Sequence, residues 1–538
     1  MSLLDRAVSQ LLKLPRATSA YTIERDLAVP MRDGVRLLAD HYVPSGTPRG
    51  TLLVRSPYGR AGAFALVYAR PYAARGYHVV VQSCRATFGS GGTVNAFAGE
   101  AEDGADTVDW LRAQRWYTGS FATLGVSYLG LNQWALLTDP PADMKAAVIV
   151  SGPHDTHDLL YGSGALALQS VAGWSTAILH QEDRGPVMGV LAGPLLERKT
   201  LPVLNGLPLR DAAHSVYGTK APWLDAWLEH PDGDDPFWAA SSYGEALDRA
   251  AVPVLLYSGW HDLILEQTLE QYAALAARGV DVALVVGPWN HAEMLAKASG
   301  LTARETLGWL SEHLVGDGKR LETAPVRIFV TGADEWRDLA SWPPAASEQI
   351  YYLRDAGGLS AEAGSGAAAA FTYDPLDPTP TVGGMSNART AGRADNRALE
   401  RRPDVVTFTS AVLERDVEVM GTPVLTLAHR SDNPHCDVFV RLCEVDAKGR
   451  SWNLCERFVR LTAAGEAPLR LELSPVAHRF ARGTRVRVQV SGGSHPQHDR
   501  NLGTGESPAE GSQTRPSRRS ISTADGASWL VLPVTHSG

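Results

Sequence analysis

The sequence predicts an α/β architecture: a mostly parallel sheet flanked by helices, interrupted by an inserted helical cap and followed by a C-terminal β-sandwich of jelly-roll type. Three observations carry this expectation. Short apolar runs alternate with helical stretches up to Val150, the same rhythm resumes at Val252, and beyond Ala346 the hydrophobic period becomes two and stays there. At 538 residues the chain is too long for one hydrophobic core, so several cooperative units are expected.

Residues 21 to 44 alternate like two strands joined by a tight turn at Asp33 and Gly34. Next come apolar runs at Thr51 to Val54, His78 to Val81, Phe121 to Leu124 and Ala146 to Val150, with a helix over Ala101 to Arg115 among the connections. From about 153 to 245 the sequence is rich in Trp, Tyr, Pro and Gly and shows no comparably clear strand, which reads as a helical cap. Val252 to Tyr257 then forms a buried strand, Leu265, Leu269, Tyr272 and Leu275 one face of a helix, Gly279 its cap, and Val280 to Val286 another strand. Alternating runs dominate the remainder, including Val405 to Phe408, Val424 to Leu427, Asp437 to Leu442, Arg457 to Leu461, Leu469 to Leu473 and Arg485 to Val490. The expected division is 1–152 and 246–345 for the two parts of the α/β domain, 153–245 for the cap and 346–538 for the sandwich. Gly357 to Ala370 and Arg515 to Arg519 read as surface loops.

Composition narrows the function. The 44% hydrophobic and 20% charged content is that of a globular protein, and a formal charge of −9 without a basic block argues against nucleic acid or an anionic membrane as partner. Asp5 interrupts the apolar run that a signal peptide would need, and no segment has eighteen consecutive apolar residues, so a cytoplasmic location is expected. The four cysteines, Cys84, Cys436, Cys443 and Cys455, contain no CxxC pair and read as free thiols. No phosphate-cradling glycine motif occurs, and nothing calls for a cofactor. The cluster His154, Asp155, His157 and Asp158 lacks a chelating spacing, and the acidic run Asp232 to Asp235 lacks the closing ligand of a calcium loop, so no metal is expected.

The sharpest chemical signal is Phe-Ala-Thr-Leu-Gly-Val-Ser-Tyr-Leu-Gly at 121 to 130, an apolar strand that runs into Gly125, Ser127 and Gly130 and then a helix. A strand-to-helix elbow strains the backbone at its serine and brings neighbouring backbone close, so it needs small residues around it. The usual GxSxG spacing is altered here, because Leu129 holds the last position and glycine follows at 130. Asp262, in Ser-Gly-Trp-His-Asp, and His291, in Gly-Pro-Trp-Asn-His, each follow a strand at the sheet edge where open α/β folds bind ligands. The order Ser, Asp, His is that of the α/β-hydrolase fold. Serine needs a base near neutral pH, which His291 would supply, while Asp262 would orient the imidazole and the Tyr128 backbone N–H would serve the oxyanion. Read without that context, Asp262 is a helix N-cap and His291 a loop histidine.

These motifs resemble the family of cocaine esterase, α-amino-acid ester hydrolases and Xaa-Pro dipeptidyl-peptidases. The resemblance runs from about Tyr21 to the C-terminus, through Arg55-Ser-Pro-Tyr58-Gly59, the elbow, Gly259-Trp-His-Asp262, Gly287-Pro-Trp-Asn-His291, Tyr373-Asp-Pro-Leu-Asp-Pro and Asp404-Val-Val-Thr-Phe. It implies the displaced elbow glycine, a two-part hydrolase domain with helical insertion and jelly roll, and Tyr58 as second oxyanion donor through its phenol. Tyr161-Gly-Ser-Gly-Ala-Leu and Gly173-Trp174-Ser175 look like that family's cap, with Trp174 lining a substrate pocket by analogy. The expected activity is hydrolysis of a small carboxylic ester or amide through an acyl-enzyme. Dipeptidyl-peptidase, amino-acid ester hydrolase and acyltransferase activities use the same triad, and a non-catalytic binding protein is the rival from another class. The sequence leaves the oligomeric state open.

Overall fold

The computed structural model describes residues 3–183, 193–320, 324–364, 366, 368–463 and 468–535. Ten strands form the first sheet: β1 (Tyr21–Pro30), β2 (Arg36–Pro44), β3 (Gly50–Ser56), β4 (Tyr77–Ser83), β5 (Phe121–Val126), β6 (Met144–Val150), β7 (Val254–His261), β8 (Val282–Asn290), β9 (Val326–Val330) and β10 (Glu335–Leu339). Their order across the sheet is β1-β2-β4-β3-β5-β6-β7-β8-β9-β10. From β4 to β9 every pairing is parallel, and antiparallel hairpins close both edges.

Parallel strands covered on both faces need apolar side chains at consecutive positions. Leu52 and Leu53, Val79 and Val80, Val148 and Ile149, and Leu255 and Leu256 accordingly divide between two cores, one on each side of the sheet. This explains why the strands read as continuous apolar runs and not as alternation. β6 and β7 pair directly, Ala147 opposite Val254, although a long stretch of chain separates them. The described residues of that stretch form helices that include Thr156–Tyr161, Leu168–His180, Leu209–Tyr217 and Pro222–Glu229.

From Ser347 onward, thirteen strands among the described residues form the second, predominantly antiparallel sheet system. Its core is built from alternate residues such as Val440 and Leu442, Val488 and Val490, and Leu530 and Leu532. The mixed sheet with a C-terminal β-sandwich is the α/β-hydrolase architecture that the sequence predicted. All four cysteines are buried and free.

Two local expectations are corrected. Within the supposed loop 357 to 370, Gly358–Ser360 is a short strand paired with Ser347–Leu353 and Val405–Ser410, and Ala369–Tyr373 opens another; residues 365 and 367 lie outside the described residues. Only Leu359 of this strand turns into the sandwich core, between two small residues. Arg518 and Arg519 belong to strand Ser517–Ser522, and Arg519 is buried, donating to the Asp437 carbonyl oxygen at 3.1 Å. Alternation along the strand turns Arg519 inward, where a carbonyl receives its charge.

Candidate active site

β5 ends at Val126 and a helix starts at Tyr128, so Ser127 alone makes the turn. Its φ of 58° and ψ of −121° lie outside the regions open to ordinary side chains at low cost. The Ser127 backbone N–H donates to the Val150 carbonyl of β6 at 2.8 Å, and the Ser127 carbonyl accepts from Gly130 and Leu131, which holds the strained residue from both sides.

The altered glycine spacing has a steric cause. A Cβ on Gly125 would lie 2.3 Å from the Leu129 Cβ, so Gly125 makes the room that Leu129 fills. A Cβ on Gly130 would lie 2.5 Å from the Gly152 Cα, so glycine is required at 130, where helix and loop backbones touch. The helix therefore presses on β5 with a side chain and on the loop after β6 with bare backbone.

Three strands deliver the remaining polar groups to this edge. Asp262 follows β7 directly and is fully buried; its carboxylate accepts from the Ile264 backbone N–H at 2.8 Å and from Ser151 Oγ at 2.7 Å. His291 opens the helix after β8, capped by Asn290 and Glu293 in a reciprocal box. His291 Nδ1 lies 3.1 Å from Asp262 Oδ2, and Nε2 lies 3.0 Å from Ser127 Oγ. A carboxylate only accepts, so Nδ1 carries the proton and Nε2 is free to take one from the serine hydroxyl. Asp262 thus braces the turn before the helix, whose N-cap is Ile264, as well as contacting the imidazole.

Tyr58, on the loop after β3, interacts through its phenol with Ser127 and accepts a hydrogen bond from Trp174 Nε1 at 3.2 Å. Burial pushes the phenol up to about 12, against the opposing effect of these two contacts, so it is a neutral donor at physiological pH. Tyr128, first in its helix, has a backbone N–H that the helix cannot use. Its side chain points away from the reaction centre: the hydroxyl donates to Glu100 Oε1 at 2.9 Å and accepts from the Phe97 N–H at 3.0 Å. Glu100 in turn pairs with buried Arg55 at 2.8 Å.

Above the serine lies a cavity of about 590 Å³, walled chiefly by apolar groups that include Phe97, Trp174, Trp227, Leu263 and Ile264. Among its described lining residues Glu197 carries the one carboxylate, and this faces Arg389 at 3.9 Å. The segment 184 to 196, part of which lies outside the described residues, contains no acidic residue.

Every residue singled out from sequence for this chemistry, Ser127, Asp262, His291, Tyr58, Tyr128 and Trp174, lies at or beside this cavity. Sequence reasoning missed Ser151, which donates to Asp262 and has a φ of 45°. The signal was available, because Ser151 follows β6 at the same sheet edge as Asp262 and His291. It also missed Asn387, Ala388, Arg389 and Thr390, which line the cavity from the sandwich. No local pattern marks these four residues. The cluster at 154 to 158 is spent on structure: Asp155 caps the helix that follows it, His157 contacts the Pro231 carbonyl, and Asp158 accepts from Gln267.

Residues 33–293 match the model of the X-Pro dipeptidyl-peptidase (S15) family, and 320–530 match the X-Pro dipeptidyl-peptidase C-terminal non-catalytic domain. The chain is 31% identical over 545 aligned positions to a cocaine esterase of Rhodococcus sp. (strain MB1 Bresler), covering 90% of this chain and 93% of that enzyme. Among solved structures, an α-amino-acid ester hydrolase superposes with a TM-score of 0.81 at 22% identity, over 97% of this chain and 98% of that one. An aminopeptidase from a marine sediment Thaumarchaeota archaeon gives 0.81 at 21% identity, over 96% of each chain.

Proposed function

The chain belongs to the cocaine esterase (CocE/NonD) family of serine hydrolases, and from that premise we propose that it hydrolyses small, uncharged carboxylic esters with Ser127 as nucleophile. The observation that carries this reading is the continuous contact from Ser127 Oγ through the His291 ring to Asp262, opening into an apolar cavity.

Ser127 attacks the substrate carbonyl as its proton passes to His291 Nε2. The imidazolium is stabilised by Asp262, whose orientation is fixed by Ser151 and the Ile264 N–H. Negative charge developing on the carbonyl oxygen is met by the Tyr58 hydroxyl and the Tyr128 N–H, both present before substrate arrives. His291 then returns its proton to the leaving oxygen, and water, deprotonated by the same ring, releases the acid from the acyl-enzyme.

The charge of the cavity favours an ester over a substrate with a free ammonium. Recognising an ammonium takes a carboxylate not already engaged, and Glu197 is opposed by Arg389. The second reading, a dipeptidyl-peptidase acting on Xaa-Pro amides, draws on the family model matched by 33–293. Four buried free thiols suit a reducing, cytoplasmic setting, and no helix among the described residues is long and apolar enough to cross a membrane.

A fluorophosphonate probe is expected to label the chain and to lose its target in Ser127→Ala. The intact chain is expected to turn over neutral p-nitrophenyl esters at least a hundredfold faster than Xaa-Pro-p-nitroanilides. Labelling that survives Ser127→Ala removes the nucleophile assignment, and the reverse rate order makes the chain a peptidase.

A further inference from the structure

We infer that Trp174 is a positioning residue of the oxyanion site: its indole N–H fixes the direction in which the Tyr58 hydroxyl donates. The inference rests on Tyr58 being an oxyanion donor. It gives Trp174 a task distinct from lining the pocket.

A phenol has one proton and can also accept, whereas an indole N–H can only donate. Trp174 Nε1 donates to Tyr58 Oη at 3.2 Å, so the Tyr58 proton cannot point toward Trp174. It is left to point into the cavity, which Tyr58 and Ser127 both line. A donor placed on the phenol oxygen also strengthens the phenol as a donor, since hydrogen bonds in series polarise one another in a low-dielectric site. The opposing influence of Trp174 on the upward shift of the phenol is consistent with this.

The indole is held by more than its hydrogen bond. Phe97 stacks on it at 5.1 Å and the Tyr128 ring lies nearly parallel to it at 6.3 Å, while Trp223 meets it edge-on at 5.8 Å. Trp223 is itself tied by its own N–H to Ser175 Oγ at 2.9 Å. Tyr128 therefore joins the two halves of the oxyanion site: its backbone N–H is one donor, and its ring packs beside the indole that orients the other. A cap helix thus reaches a group on the sheet edge through a single N–H.

The test measures steady-state hydrolysis of a p-nitrophenyl ester by Trp174→Phe, Tyr58→Phe and the double variant, with thermal unfolding as the folding control. Phenylalanine keeps an aromatic ring in the stack and removes the N–H donor together with part of the indole's bulk. Tyr58→Phe is expected to lower kcat at least a hundredfold. Trp174→Phe is expected to lower kcat about fivefold to tenfold with KM within about twofold, the scale of one lost neutral hydrogen bond. The double variant is expected to match Tyr58→Phe, because a group acting only through Tyr58 has nothing left to act on. An unchanged kcat in Trp174→Phe, or a loss that recurs in full without the Tyr58 hydroxyl, overturns the inference while leaving Tyr58 as donor. A Tyr58→Phe variant with normal kcat overturns the oxyanion assignment and this inference together.

Discussion

At the scale of single residues, backbone strain and buried polar groups meet at one sheet edge, where Ser151 has a positive φ and is buried against Asp262. Ser127 and Ser151, both with positive φ, lie at the ends of neighbouring strands, where backbone is held by β6 and β7. Histidines, by contrast, are buried as neutral rings through much of the molecule. Burial holds the imidazoles of His78, His154, His261 and His495 down at about 4 from an ordinary 6.5. Between those values the unfolded chain binds protons that the folded chain refuses, so stability is complete above about pH 6.5 and falls as pH drops toward 4. The melting temperature is therefore expected to be level from pH 8 to 7 and to decline steadily below 6.5. A melting temperature unchanged at pH 5 would mean that these rings are accessible to protons in the folded state. Ser127, Asp262 and His291, the proposed triad, were legible at this scale because elbow chemistry and strand-end placement both leave local marks. Ser151 was overlooked because a serine after a strand is common.

At the scale of elements, the elbow works because strand, turn and helix are matched by volume. Leu129 occupies the space that Gly125 vacates, and Gly130 allows the helix to rest on Gly152. Gly130→Ala places a methyl group where there is backbone, and neither side is a flexible side chain that can swing away. This substitution is expected to cost about 1 to 3 kcal/mol of stability, the range for overpacked interiors. It should also slow turnover at least tenfold, because the Tyr128 N–H moves with the helix. Thermal unfolding and kcat measured on one preparation check both; normal values would show that the contact relaxes. Strands were readable wherever both faces are covered, since apolar residues then occupy consecutive positions, as in Leu52 to Val54 and Val79 to Val81. The three-residue strand Gly358–Ser360 was not, because its identity comes from partners on either side and not from its own residues.

At the scale of the whole molecule, the sandwich completes the site. Asn387 Nδ2 donates to the Ser170 carbonyl at 3.0 Å, Ser386 Oγ donates to Gln169 at 3.1 Å, and the Gln169 N–H reaches the Pro496 carbonyl at 2.9 Å. These contacts pin the start of the helix that carries Trp174. The same loop accepts at the Ala391 carbonyl from Asn290, the N-cap of the helix that His291 opens, at 2.9 Å. One sandwich loop therefore touches the supports of both His291 and the pocket wall. Asn387→Ala removes the tie to the cap helix, worth about 1 kcal/mol by the usual scale of such bonds. Its expected effect is a threefold to tenfold higher KM for a bulky acyl ester, with kcat changed less than KM. Equal KM values would place the sandwich outside substrate binding. Nothing near Asn387 in the sequence suggests this role, since its partners belong to a segment more than two hundred positions away.

The sequence by itself determined the order of strands and helices along the chain, the change of period that begins the sandwich, and the three residues proposed for the proton relay. Each is set by neighbours along the chain: apolar periodicity, glycine where backbone must bend, and polar residues just past strand ends. Only the tertiary structure decided which side chains face the cavity, how Ser151 braces Asp262, how Trp174 meets Tyr58 and why a sandwich loop lines the pocket. Those contacts join distant segments, and a hydrogen bond between them depends on a few tenths of an ångström that packing of the whole chain sets and no local pattern encodes.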